Sequence, residues 1–263
     1  MSSVYRRRLA SAQLRLRGSW LEQLATQLRA LHVFDWTSAF GAELLWSVLP
    51  LLILVSSLAN HSIENDASRH IGLDRQAAHI VRGMFRSSPS HDVFAIVTGL
   101  LLSLAGTIAV VGSIQVLYER LFHQEHRGWR DTPRVVVWVV ALLAALAAQA
   151  IISEPVRRGT GPVGEVLVRL VAETLFFWWT MHFLLSGRVG WGALFRPALV
   201  TGILWLGLAA ISSLFFSSAI VEDSRDYGAI GVIFTFLTWF VLIGVVLMLG
   251  AAIGATWQER RRA

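Results

Sequence analysis

The sequence has no cysteine, which excludes a disulfide, a thiolate metal site and a cysteine nucleophile and leaves the redox compartment unreadable. It has no lysine either, so all 23 basic residues are arginine. Charged residues make up only 15% of the chain against 55% hydrophobic residues. That leaves too little polar surface to cover a soluble fold of this length and points to an integral membrane protein. Also absent are a Gly-x-x-x-x-Gly-Lys phosphate loop, a Gly-x-Ser-x-Gly nucleophile turn and a His-Glu-x-x-His metal motif, so nothing supports ATP-driven work or hydrolysis. There is no internal repeat at a clear period and no low-complexity segment.

What the chain does contain is long apolar runs. From Ala229 to Ala255 there is no Asp, Glu, Lys, Arg or His, and about 20 mostly apolar helical residues cross ~30 Å of hydrocarbon. Before it, Arg196-Pro197 opens a second apolar segment, Ala198 to Ile220. The intervening Glu222-Asp223-Ser224-Arg225-Asp226 reads as a short acidic loop, which predicts a transmembrane helical hairpin. Along the whole chain the pattern gives six spans at about 36–59, 93–117, 133–152, 164–185, 197–220 and 229–255. The fold class is therefore all-α, a polytopic six-helix membrane bundle. Its divisions are a basic N-terminal segment over 1–35, a membrane domain over 36–257 and a basic tail over 258–263.

Arginine asymmetry orients the bundle. With both termini inside, fifteen arginines lie on the cytoplasmic side and seven on the other, Arg169 falling within a span. The positive-inside rule then places both termini in the cytoplasm. Trp36, Trp129, Trp191 and Trp257 fall near the same ends, where indole rings favour the interface. The net charge of +6 and the pI near 11 follow from this rule without a nucleic-acid partner. Residues 1–18 carry five arginines and no acid, with Leu21, Leu24, Ala25, Leu28 and Leu31 following at helical spacing. This is an amphipathic helix for an anionic membrane face, and it lacks the uncharged core of a cleavable signal. Between the first two spans, Leu73, Ala77, Ile80, Val81 and Met84 predict an external amphipathic helix.

Charges inside spans are the candidate functional residues. Glu165, Arg169 and Glu173 in the fourth span are spaced i, i+4 and i+8, which puts the guanidinium between two carboxylates on one helix face. A charge at the bilayer centre costs ~2.5 to 3.5 kcal/mol even on the lenient insertion scale, so such groups face a bundle interior or a wet cavity. They serve either a substrate or ion pathway or a structural ion pair. Glu43 lies seven residues before Pro50, a proline that removes a helix hydrogen bond. An acid beside it either lines a hydrophilic cavity or pairs with a neighbouring helix. Gln149, Thr180 and His182 add polar contacts. Pro50, Pro197, Gly228 and Gly231 are candidates for helix kinks or packing, and Gly250 with Gly254 forms a small-xxx-small pair for close helix approach, within the chain or in a homo-oligomer. His61, His70, His79 and His91 do not have the spacing of paired ligands on one helix face. No metal or cofactor is expected.

Several of these stretches together resemble a known family. Trp191, Arg196, Pro197, Trp205, Asp226-Tyr-Gly-Ala-Ile-Gly, Thr238-Trp239 and Leu249-Gly250-Ala251-Ala252 occur in the order of the last third of the YihY/BrkB family of bacterial inner-membrane proteins. Ser47-Val-Leu-Pro50 and Gly112-Ser-Ile-Gln-Val-Leu-Tyr-Glu-Arg120 upstream are similar to that family too. The resemblance implies a cytoplasmic-membrane protein tied to envelope integrity, with a transporter or translocator of lipid-like substrates as the first reading and a non-transporting scaffold for envelope assembly as the second. The family has carried the label ribonuclease BN. A metal-dependent nuclease needs clustered ligands outside the bilayer, and His123-Gln-Glu-His126 with Asp131 in one short loop is too thin for that. The expectation is a non-enzyme with anionic lipids at its cytoplasmic face and no nucleic-acid partner.

Overall fold

The computed structural model of the chain describes residues 26, 28, 29, 32–58, 93–125 and 132–259. The expected external amphipathic helix, the four external histidines, His126, most of the basic N-terminal segment and the arginine tail lie outside these residues. The described residues form helices and no strand: α1 Val33–Leu58, α2 Val93–Leu121, α3 Thr132–Leu184 and α4 Trp191–Glu259.

Two of these helices are too long to be single rods. At 1.5 Å per residue the 69 residues of α4 would reach about 100 Å, three times the hydrocarbon thickness. Each is folded at one glycine. Gly161 (φ 71°, ψ −177°) divides α3, and Gly228 (φ 64°, ψ −141°) divides α4, in a backbone region that residues with a Cβ essentially do not enter. Pro162 then starts the second limb of α3, where its missing N–H is no loss.

Side-chain contacts show that both folds are antiparallel hairpins. In α3, Trp138 Nε1 donates to Thr180 Oγ1 (3.3 Å) and Arg134 to Ser186 Oγ. In α4, a Cβ on Gly250 would lie 2.6 Å from Thr201 Cα, and one on Gly254 would lie 2.7 Å from Pro197 Cγ. The two limbs of α4 therefore touch backbone to backbone at their free ends. At the fold, Gly231 lies against the Asp223 carbonyl and Thr235 Oγ1 donates to the Asp223 carboxylate. The segment 222–227 is helical, not the loop its composition suggests, because the chain turns only where Gly228 supplies a positive φ. Pro50 and Pro197 both lie within continuous helix.

α1 packs against α2 and against the second limb of α4. Ser47 Oγ donates to the Ser103 carbonyl (3.3 Å), Ser103 Oγ donates to the Ser47 carbonyl (3.1 Å), and Ser47 also meets Thr107 (3.0 Å). On its other side, Phe40 and Thr37 meet Gly244.

Polarity is distributed inside out. Buried positions include Ser47, Ser103, Gln115, Glu119, Glu173, Thr180, Thr201 and Thr235, whereas Leu100, Leu101, Val140, Leu143, Val163, Leu167, Leu214 and Ile230 are more than half exposed. Water would not tolerate that much apolar surface. Thr37, Thr107, Thr201 and Thr256 donate to the carbonyl four residues back, which satisfies a hydroxyl without water. Val97–Leu121, Gly161–Leu184 and the folded Trp191–Thr256 are long and apolar enough to cross a membrane. This is a membrane protein.

Candidate functional site

Glu173 lies midway along the second limb of α3. Eleven residues separate it from Leu184, so it sits about 16 Å from that end of the limb. It is 3% exposed, and its Oε2 has no hydrogen-bond partner. The next residue, Thr174, is also buried with an unpartnered hydroxyl, pressed on α4 at Gly202. Arg169 is exposed and Glu165 is half-buried, and no hydrogen bond or ion pair joins either carboxylate to Arg169. Four residues advance a helix by 400°, so Arg169 and Glu173 are offset by about 40°. Here that offset separates the outer surface from the interior.

Glu43 has a different environment. It is half-buried on α1, ten residues from the helix start and so about 15 Å deep, and its Oε2 accepts a 2.6 Å bond from Ser113 Oγ of α2. Glu43 and Glu173 thus occupy a similar depth from the same end of the bundle, on different helices and without a bond between them. Gln149 is half-buried on the first limb of α3 and forms no side-chain hydrogen bond among the described residues. Thr180 is held by Trp138. His182 stacks on Trp191 (4.0 Å between ring centres), with Nδ1 3.1 Å from the Val189 carbonyl.

The end of the bundle where α1 starts and α4 ends holds a polar cluster that sequence reading missed. Glu119, with its side chain 2% exposed, forms a 2.6 Å ion pair with Arg188, 69 residues away in the turn between α3 and α4. Gln115 Nε2 donates to the same carboxylate oxygen at 3.2 Å. Two helix ends place the partners. α2 closes with His123 N–H on the Arg120 carbonyl and Gln124 N–H on the Glu119 carbonyl, and α3 closes with Ser186 N–H on the Phe183 carbonyl and Gly187 N–H on the His182 carbonyl. Both are Schellman caps, with His123 (φ 51°) and Ser186 (φ 58°) in the left-handed position that glycine usually takes. The sequence held one signal: Glu119 is an acid at a strongly basic end, with no arginine at i±4 to neutralise it. Among the described residues no group of three or more His, Asp or Glu side chains is placed to hold a metal ion.

The family described as Virulence factor BrkB matches residues 26–263. The chain belongs to the BrkB family. No curated protein and no solved structure matches it. The stretches that carry the resemblance have structural roles in this BrkB chain. Gly112–Arg120 supplies Ser113, Gln115 and Glu119 to the polar contacts, Asp226–Gly231 is the α4 hinge, and Gly250 and Pro197 lie where the hairpin limbs touch.

Proposed function

We propose that this BrkB-family protein crosses the bacterial cytoplasmic membrane six times, with both termini in the cytoplasm, and moves a lipid-like or other small amphipathic substrate in support of envelope integrity. The six limbs are α1, α2 and the two halves of each hairpin. The shortest apolar stretch among the three longest, Gly161–Leu184, has 24 residues and reaches about 36 Å. The basic N-terminal segment lies on anionic lipid at the cytoplasmic face, and the segment between α1 and α2 forms an external amphipathic helix. We assign no catalytic role, no cofactor and no nucleic-acid partner.

Glu173 carries the transport reading. A carboxyl group at mid-depth whose oxygen lacks a partner is expensive, and packing alone is better served by leucine. Its retention is explained if a moving solute or water supplies the missing partner. Glu43 at similar depth, together with Gln149, completes the candidate route, and Arg169 lies on the outer face of the same limb as Glu173. The scaffold reading is favoured by a different observation: helices meet backbone to backbone at Gly250, Gly254 and Gly106, which suits a rigid body. Cells lacking their own copy decide between them in an envelope-stress assay. Glu173→Leu, alone and with Arg169→Leu, is expected to reach the membrane at the parent level yet fail to complement. Full complementation by the well-expressed double variant ends the transport reading for this site, because leucine cannot replace a carboxylate on a polar route.

A further inference from the structure

Three elements meet where Arg188 ends. Its Nε donates to the Leu185 carbonyl (3.0 Å), one terminal nitrogen to the Glu125 carbonyl (2.6 Å) and the other to Glu119 (2.6 Å). One planar side chain therefore ties the turn after α3 to the end of α2 and to the segment beyond it. Such a three-way fork is a use of arginine that lysine cannot reproduce. Arg134, at the start of α3, binds Ser186 in the same turn.

One position before Glu119 on α2, Tyr118 is 0% exposed and its hydroxyl has no hydrogen-bond partner. A buried phenol with an empty bonding position is costly in this arrangement. The cost is relieved in an arrangement where the end of the bundle is open and the hydroxyl meets water. Both left-handed cap residues, His123 and Ser186, lie close in sequence to the same contact, so each of the two helix ends it joins is closed by a tight turn.

We propose that Arg188 is a latch that holds shut the end of the bundle where α1 starts and α4 ends, and that its release admits water and the transported solute past Tyr118 toward the mid-depth carboxylates. This rests on the transport reading above. It adds to that reading a gate at one named end and the bond that closes it.

The native absence of cysteine gives a direct test in the full chain. Met181, 0% exposed in the same core as Tyr118, is replaced by cysteine, and its reaction with a membrane-impermeant maleimide is timed in inside-out vesicles. Added Arg188→Gln or Glu119→Gln is expected to raise the rate at least about tenfold, since either removes the charge-assisted bond that closes this end, leaves the remaining buried charge uncompensated and shifts the population toward the open form. Arg188→Lys, which keeps the charge and loses the fork, is expected to fall between at about threefold or more. Rates within about twofold of the parent in the glutamine variants overturn the latch. Should both glutamine variants fail to accumulate in the membrane, Arg188→Lys decides alone, and a rise below about threefold overturns the proposal. A faster reaction with unaltered envelope-stress complementation upholds the latch and counts against transport. An unchanged rate with lost complementation removes the latch and leaves the transport reading in place.

Discussion

Two acids at similar depth behave oppositely at the scale of single residues, because one has a hydrogen-bond partner and the other does not. Ser113 donates to Glu43 at 2.6 Å across the α1–α2 contact, so Ser113→Ala removes a bond to a charged or polar group and is expected to destabilise by about 1.5 to 3 kcal/mol. Glu173 Oε2 has nothing to lose, so Glu173→Leu is expected to leave stability unchanged or raise it by up to about 1 to 3 kcal/mol. Thermal unfolding in detergent checks both, and a lower Tm for Glu173→Leu counts against the absence of a partner. Glu173 was legible in the sequence, since a charge within an apolar run identifies itself. Its relation to Arg169 was not, because i, i+4 spacing fixes the angle between two side chains and not the direction in which the interior lies. Glu119 and Arg188 were harder still. Each looks ordinary at a polar helix end, and their separation of 69 residues is bridged only by the tertiary fold.

Hairpins are made at single glycines, and the same substitution has opposite signs at two uncrowded positions of α4. A Cβ on Gly228 or on Gly207 would meet no atom within 4 Å, so sterics with neighbours do not distinguish them. Backbone does. Gly207 is helical, and Gly207→Ala is expected to stabilise by about 0.5 to 1 kcal/mol through helix propensity. Gly228 has φ 64° and ψ −141°, and Gly228→Ala is expected to cost about 1 to 3 kcal/mol in strain. Unfolding of the two variants side by side checks the sign, and equal effects would mean that the hinge conformation is not held. The hairpin itself was legible from two apolar runs and a polar break. Its turning point was not, because composition marked the acidic residues 222–226 as the break while the conformational requirement falls on the next glycine. Asp223, bound to Thr235 across the fold, is part of the helical stem.

For the whole molecule, what was legible follows from the solvent. Lipid demands apolar outward surfaces and internally satisfied backbone, so the helical class and the long apolar helices can be read from one chain, whereas the interior contacts that decide function depend on which helices become neighbours. Orientation belongs to the same scale and has its own test. The start of α1, the end of α4 and the turn around Ser186 lie at one end of the bundle, and the folds at Gly161 and Gly228 lie at the other. From the arginine asymmetry we propose that the first end faces the cytoplasm. Single cysteines replacing Ser62, Thr160, Ser224 or Ser186 carry no native background. In intact cells an impermeant thiol reagent is expected to label the first three positions and to spare Ser186, with the order reversed in inside-out vesicles. Labelling of Ser186 alone in intact cells inverts the molecule. That result would turn the Arg188–Glu119 end toward the periplasm, and any gate there would then open on the opposite side.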